Sequence, residues 1–155
     1  MTFRITGLSP EPFRPLFGLD DEALAARCAK RFVADVAPGF PDRIELRDAE
    51  PGEAVILVNY EHQSAATPFR SRHAIFVLEG AVAAYDRVDA VPAVLRPRPL
   101  SLRAFDGDDM MIDADLCDGR EIERLIERLL GEPRVAYIQA HHARRGCYAA
   151  RIERA

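Results

Sequence analysis

The chain has 155 residues, 48% hydrophobic and 30% charged, ordinary globular values that exclude a disordered or fibrous class and suffice for one domain with its own core. A formal net charge of -4 gives no general attraction to nucleic acid, which is not expected as a partner. The three cysteines, Cys28, Cys117 and Cys147, are odd in number and too widely spaced for a disulfide framework or a paired-cysteine metal site, and they favour a reducing compartment.

Phe3 to Thr6 reads as a short first strand, and the three prolines between Ser9 and Pro15 favour an extended or turned path. Phe13, Leu16 and Phe17 pin this lead-in to the core. The N-terminal segment lacks the apolar stretch of a signal peptide. The longest apolar run, Ala54 to Val58, is far too short to cross a bilayer. A cytoplasmic chain with no membrane partner is therefore expected.

A first helix is predicted from Asp20 or Asp21 to about Val33, with Leu24, Cys28 and Phe32 on one stripe and Cys28 as a small core residue. Pro38 to Pro41 is a loop, and Arg43 to Arg47 alternates as a half-buried strand would. Ala54 to Tyr60 is apolar on both faces until Asn59 and predicts a central strand. Ala74 to Leu78 predicts another. The alanines between Gly80 and Val94 permit a short helix, which Pro92 would stop.

Leu100–Phe105 and Met110–Leu116 flank Asp106-Gly107-Asp108-Asp109 and predict a β-hairpin. Asp118 opens a second helix in a capping-box-like pairing with Glu121, with Ile122, Leu125, Ile126, Leu129 and Leu130 as its apolar face. Gly131 and Pro133 stop it. Val135–Ala140 and Tyr148–Ile152 are the last two strands, and a β-α-β crossover fits between the two hairpins. The expected architecture is a single α+β domain over residues 1–155, with a mixed or mainly antiparallel sheet of about six strands packed against two main helices.

Four short segments carry the residues with chemical potential. Leu95 to Arg103 holds three arginines and no acid. Arg96 and Arg98 read as a solvated face, whereas Arg103 lies inside a strand, where partial burial calls for a partner: a carboxylate such as Asp113, or an anionic ligand. Asn59-Tyr60-Glu61-His62 lies where a buried strand emerges, with period two placing Tyr60 beside His62 and Asn59 beside Glu61. His62 is a candidate general base. Arg72 and His73 precede a strand and favour an anion by charge and fork geometry.

The fourth segment runs from His141 to Tyr148. A turn centred on Arg144 and Arg145 sets His142 across from Cys147 and His141 across from Tyr148. A His–Cys pair beside arginines is a candidate nucleophile. The candidate catalytic residues are therefore His62, His141 and Cys147, and the candidate ligand-binding residues Asn59, Arg72, His73, Arg103, His142 and Arg145. No metal site and no cofactor are expected. His141, His142 and Cys147 lack a fourth ligand at convincing spacing, and Asp106, Asp108 and Asp109 lack the closing glutamate of a calcium loop. Neither a G-x-G-x-x-G nor a P-loop pattern occurs.

These segments, with Phe3 to Leu8, Asn59 to His62, His73 to Val77, Leu100 to Asp106, Met110 to Asp115, Ala140-His141 and Arg145 to Arg151, resemble the uncharacterised bacterial family catalogued as domain of unknown function 1203. The resemblance covers nearly the whole chain and implies no activity. It does imply that asparagine is common at position 142, so a pair through His142 is a less general arrangement than one through His141 or Cys147. Three readings follow: a small-molecule site preferring an anionic group, an interaction or homo-oligomeric assembly module, and thiol chemistry at Cys147. The first predicts that at least three of His62, Arg72, His73, Arg103, His141 and Cys147 converge.

Overall fold

In the computed structural model, which describes residues 1–155, the first strand, β1 (Phe3–Thr6), lies beside the last, β9 (Tyr148–Arg154). Between them come α1 (Asp21–Ala25), β2 (Ala29–Val33), β3 (Ala54–Gln63), β4 (Ser71–Leu78), β5 (Asp86–Val88), β6 (Pro99–Phe105), β7 (Met111–Asp118), α2 (Ile122–Leu130) and β8 (Tyr137–His142). One sheet has six strands in the order β5-β1-β9-β8-β6-β7, and a second has three in the order β2-β3-β4. All neighbouring strands are antiparallel. This is the expected α+β class in one domain, with the strands divided between two sheets.

The alternating pattern of the C-terminal half folds as read. β6 and β7 form the hairpin around Asp106, whose Oδ1 accepts from the backbone N–H groups of Asp108 and Met110. Both β7 and β8 run antiparallel to β6, so they are parallel to each other and α2 is the crossover joining them. Asp118 caps the turn leading into α2 by accepting from the Arg120 N–H at 2.9 Å. Glu121 pairs with Arg124 instead of closing a capping box. Ile122, Leu125, Ile126, Leu129 and Leu130 are buried against β6, β7 and β9 in a core cluster of 19 residues. A second cluster of 16 gathers the small sheet's Val55, Val58, Ile75 and Val77 with Ile44, Cys147 and Tyr148.

Three expectations for the chain before β6 are corrected. The first helix ends at Ala25, capped by Asp20 Oδ1, and Ala29–Val33 is strand β2. Cys28 is the exposed turn residue between them, with φ of 53°, and has no place in the core. Pairing with β3 outweighs the weak preference of a short isolated helix, and it carries Arg31 onto Glu79 in a two-pronged ion pair. Arg43 to Arg47 forms no strand. It is an irregular loop with isolated bridges at Pro41–Asp48 and Asp42–Phe76, because Arg43, Ile44 and Leu46 are all buried and no single face is exposed. Gly80 to Val94 holds no helix: Asp86–Val88 adds to the edge of β1.

Candidate functional site

The hairpin end of β3 and β4 meets the middle of the six-stranded sheet, where His62 bonds Gln139 and Gln63 bonds Tyr137. β3 runs three residues beyond Tyr60, so Asn59 to His62 lie within a strand and not in a loop. Glu61 pairs with Arg72 and Gln63 with Ser71, leaving His62 as the extra residue of a β-bulge. On the opposing sheet Ala140 pairs with Ala150 and His141 with Tyr148, so Ala149 is the extra residue of a second bulge. A bulge turns side chains off the regular alternation. Together the two bulges bring His62 over Tyr148, stacked at 6.0 Å, and edge-on to His141 at 4.9 Å between ring centres.

Gln139, on β8, ties these rings together. Its Nε2 donates to the His62 carbonyl at 2.8 Å, which fixes the direction of the amide. Gln139 Oε1 then faces His62 Nδ1 at 3.1 Å and His141 Nε2 at 3.2 Å. His141 Nδ1 faces the Gly146 carbonyl at 3.0 Å. Burial, reinforced by the charge of Arg103, holds the His141 imidazole at a pKa of about 3. Burial also lowers His62, with Arg103 and His73 acting in the same direction against the Gln139 hydrogen bond.

Arg103 lies across from Gln139 on β6 and is half-buried. The carboxylate considered for it, Asp113, is bound by Arg128 at 3.0 Å. Arg103 donates to no protein acceptor and has no carboxylate within 4.0 Å, and burial lowers its pKa.

Beside the edge of β4 opens a cavity of about 440 Å³. Its fifteen lining residues include four arginines, Arg43, Arg98, Arg144 and Arg145, and no aspartate or glutamate. Arg98 is neutralised by Asp48, at 2.5 and 3.0 Å. The other three form no ion pair. Arg43, only 1% exposed, donates to the Tyr148 carbonyl at 2.8 Å, to the Pro41 carbonyl, and to Cys147 Sγ at 3.0 Å. Arg144 and Arg145 are exposed at the turn between β8 and β9.

His73, His142 and Cys147 also line the cavity. The backbones of His142 and Cys147 pair as expected, the His142 N–H donating to the Cys147 carbonyl at 2.9 Å. The Nδ1 atom of His142 is buried without a hydrogen-bond partner. Burial and the charges of Arg43 and Arg98 hold that ring at a pKa of about 3.

Of the residues singled out from sequence, His62, Arg103 and His141 come together, and His73, His142, Arg145 and Cys147 line the cavity. His73 belongs to both groups, because its charge also acts on His62 and His141. Asn59 and Arg72 do not join. Arg72 donates to Asn59 Oδ1 at 2.6 Å and to Glu61 Oε2 at 2.8 Å on the exposed side of the strand pair. Two residues of consequence escaped the sequence reading. Gln139 is one uncharged residue in an apolar run; Arg43 belongs to a segment whose alternation suggested a solvated face. Arg98, read as solvated, forms a partly buried ion pair, 18% exposed against 15% for Asp48.

No curated protein and no solved structure matches the chain. The family model described as "Protein of unknown function (DUF1203)" matches residues 39–154, which takes in β3 to β9, α2 and every lining residue of the cavity. The match begins after β1 and β2, so the likeness read from Phe3 onward is supported from residue 39. The chain belongs to the DUF1203 family.

Proposed function

We propose that this protein binds a small anionic molecule in the cavity beside β4. One observation carries the reading: four arginines and two histidines line a space of about 440 Å³ without a single carboxylate among its fifteen lining residues. Such a volume is ordinary for a small-molecule site (roughly 300–1,000 Å³). Arg43, Arg144 and Arg145 form no ion pair with a protein carboxylate, and forked guanidinium groups match carboxylate and phosphate oxygens. Arg43 and His142 form the rigid floor, while Arg144 and Arg145 supply charge at the rim.

Thermal unfolding in the presence of inorganic phosphate and of malonate tests this. Either anion should raise the wild-type midpoint in a concentration-dependent way, as a ligand of the folded state must. R144E/R145E reverses the rim charge at two exposed positions and should clearly reduce the rise. An equal rise in the wild type and the double variant, or none in the wild type, contradicts the proposal.

A further inference from the structure

We propose that Arg103 anchors a second anion subsite, outside the lining of the cavity, at which binding of a small oxyanion is coupled to uptake of a proton by the His62–Gln139–His141 array. Occupancy of the cavity is not required for it.

The argument is a count of protons. Three ring nitrogens face two oxygens: His62 Nδ1 and His141 Nε2 face Gln139 Oε1, and His141 Nδ1 faces the Gly146 carbonyl. Both oxygens can only accept, so each contact needs an N–H. Two neutral imidazoles carry one N–H each. The amide of Gln139 cannot turn over to help, because its Nε2 is committed to the His62 carbonyl. With both rings neutral, one contact is therefore a nitrogen lone pair held against an oxygen lone pair. A third proton, placed on His141, satisfies all three.

What opposes that proton is the surroundings. The titratable or charged groups around His141 are Arg103 from β6, His62 from β3, His73 from β4, Tyr148 from β9 and its own neighbour His142 on β8, and no carboxylate acts on it. Burial adds to the same opposition, in keeping with the low pKa of the ring. The unmet demand of Arg103 is the complement: a half-buried guanidinium without a protein acceptor. An oxyanion on Arg103 supplies that acceptor and cancels the field that disfavours His141 protonation. The proton in turn completes the array beneath the anion. Each event makes the other more favourable, and by linkage the coupling is reciprocal.

Sulfate is a suitable probe because its charge is fixed over the range in which histidine titrates. Calorimetric titration of the full chain, in buffers of differing ionisation enthalpy, reads the protons taken up per sulfate bound. The expected result is uptake of about one proton, with affinity rising up to about tenfold per unit as pH falls from about 7.5 to 5.5. Ring ¹⁵N signals of His141 should move to the doubly protonated pattern when sulfate is added. R103M should remove both effects, whereas R144E/R145E should keep them. R103K, which keeps the charge and loses the fork, should retain part of the uptake even if R103M folds poorly. Sulfate binding without net proton uptake, proton uptake that survives in R103M, or no sulfate binding in R144E/R145E overturns the inference. None of these outcomes decides the cavity reading, which rests on the phosphate and malonate responses of the wild type and the rim variant.

Discussion

Arg43 donates through Nη2 to the sulfur of Cys147 at 3.0 Å, in a part of the protein where the guanidinium has no ion pair. The contact links an irregular loop to the turn after β8, two segments separated by more than a hundred residues, and both residues line the cavity. Arg43 thus has a structural task that Arg144 and Arg145 lack. Replacing it with alanine would strip the Tyr148 and Pro41 carbonyls of their donor and leave a void. The expected cost is about 2–5 kcal/mol. Cys147→Ala should cost only about 1 kcal/mol, since a small side chain is lost. Urea unfolding of the two variants checks the order.

Charge around Cys147 makes a separate prediction. Cys28 is exposed and Cys147 is buried against a basic cavity. Access alone favours Cys28 with any alkylating agent. The field of the arginines should reverse that order for a negatively charged reagent. Mass-spectrometric site mapping should find iodoacetate favouring Cys147 over Cys28 and iodoacetamide favouring Cys28. R144E/R145E should remove the difference between the two reagents.

Stability should fall in mild acid. His141 and His142 are held at a pKa of about 3, against an ordinary 6.5. Between those values the unfolded chain binds protons that the folded chain refuses, so stability is full above about pH 6.5 and is lost as pH falls toward 3. The slope is at most on the order of 1.4 kcal/mol per pH unit for each histidine. Urea unfolding from about pH 7 to 4.5 should show it. H141Q/H142N lowers the starting stability and should flatten the slope. An unchanged slope would mean that the rings are charged in the folded state.

Arg72 provides the contrast. It was expected among the ligand-binding residues, yet it bridges Asn59 and Glu61 on an exposed surface. Exposed ion pairs contribute little. Arg72→Ala should change stability by less than about 1 kcal/mol and leave the phosphate-induced rise in midpoint intact.

How much of this was legible in the sequence varied along the chain. The β6–β7 hairpin, α2 and the β8–β9 pair follow from regular periodicity with strong stop signals, and His141 across from Tyr148 follows from the turn at Arg144 and Arg145. Period two also placed Tyr60 with His62 and Asn59 with Glu61 on opposite sides of one strand. The first helix misled because Leu24, Cys28 and Phe32 fall at helical spacing, whereas long-range pairing with β3 decides the conformation after residue 28. The site itself was only half legible. Residue type marked His62, His73, Arg103 and His141, but their meeting depends on two bulges that no local pattern announces. Arg43 and Gln139 needed the fold to be seen, because burial of a polar group is a property of what surrounds it.

The central claim is that the basic cavity holds an anion, and the most direct measurement is anomalous diffraction from crystals equilibrated with selenate. A peak inside the cavity, within reach of Arg144 or Arg145 and the Arg43–His142 floor, is the result expected. A cavity without anomalous density, with selenate scattered instead over exposed, ion-paired arginines such as Arg72 or Arg134, would contradict the account.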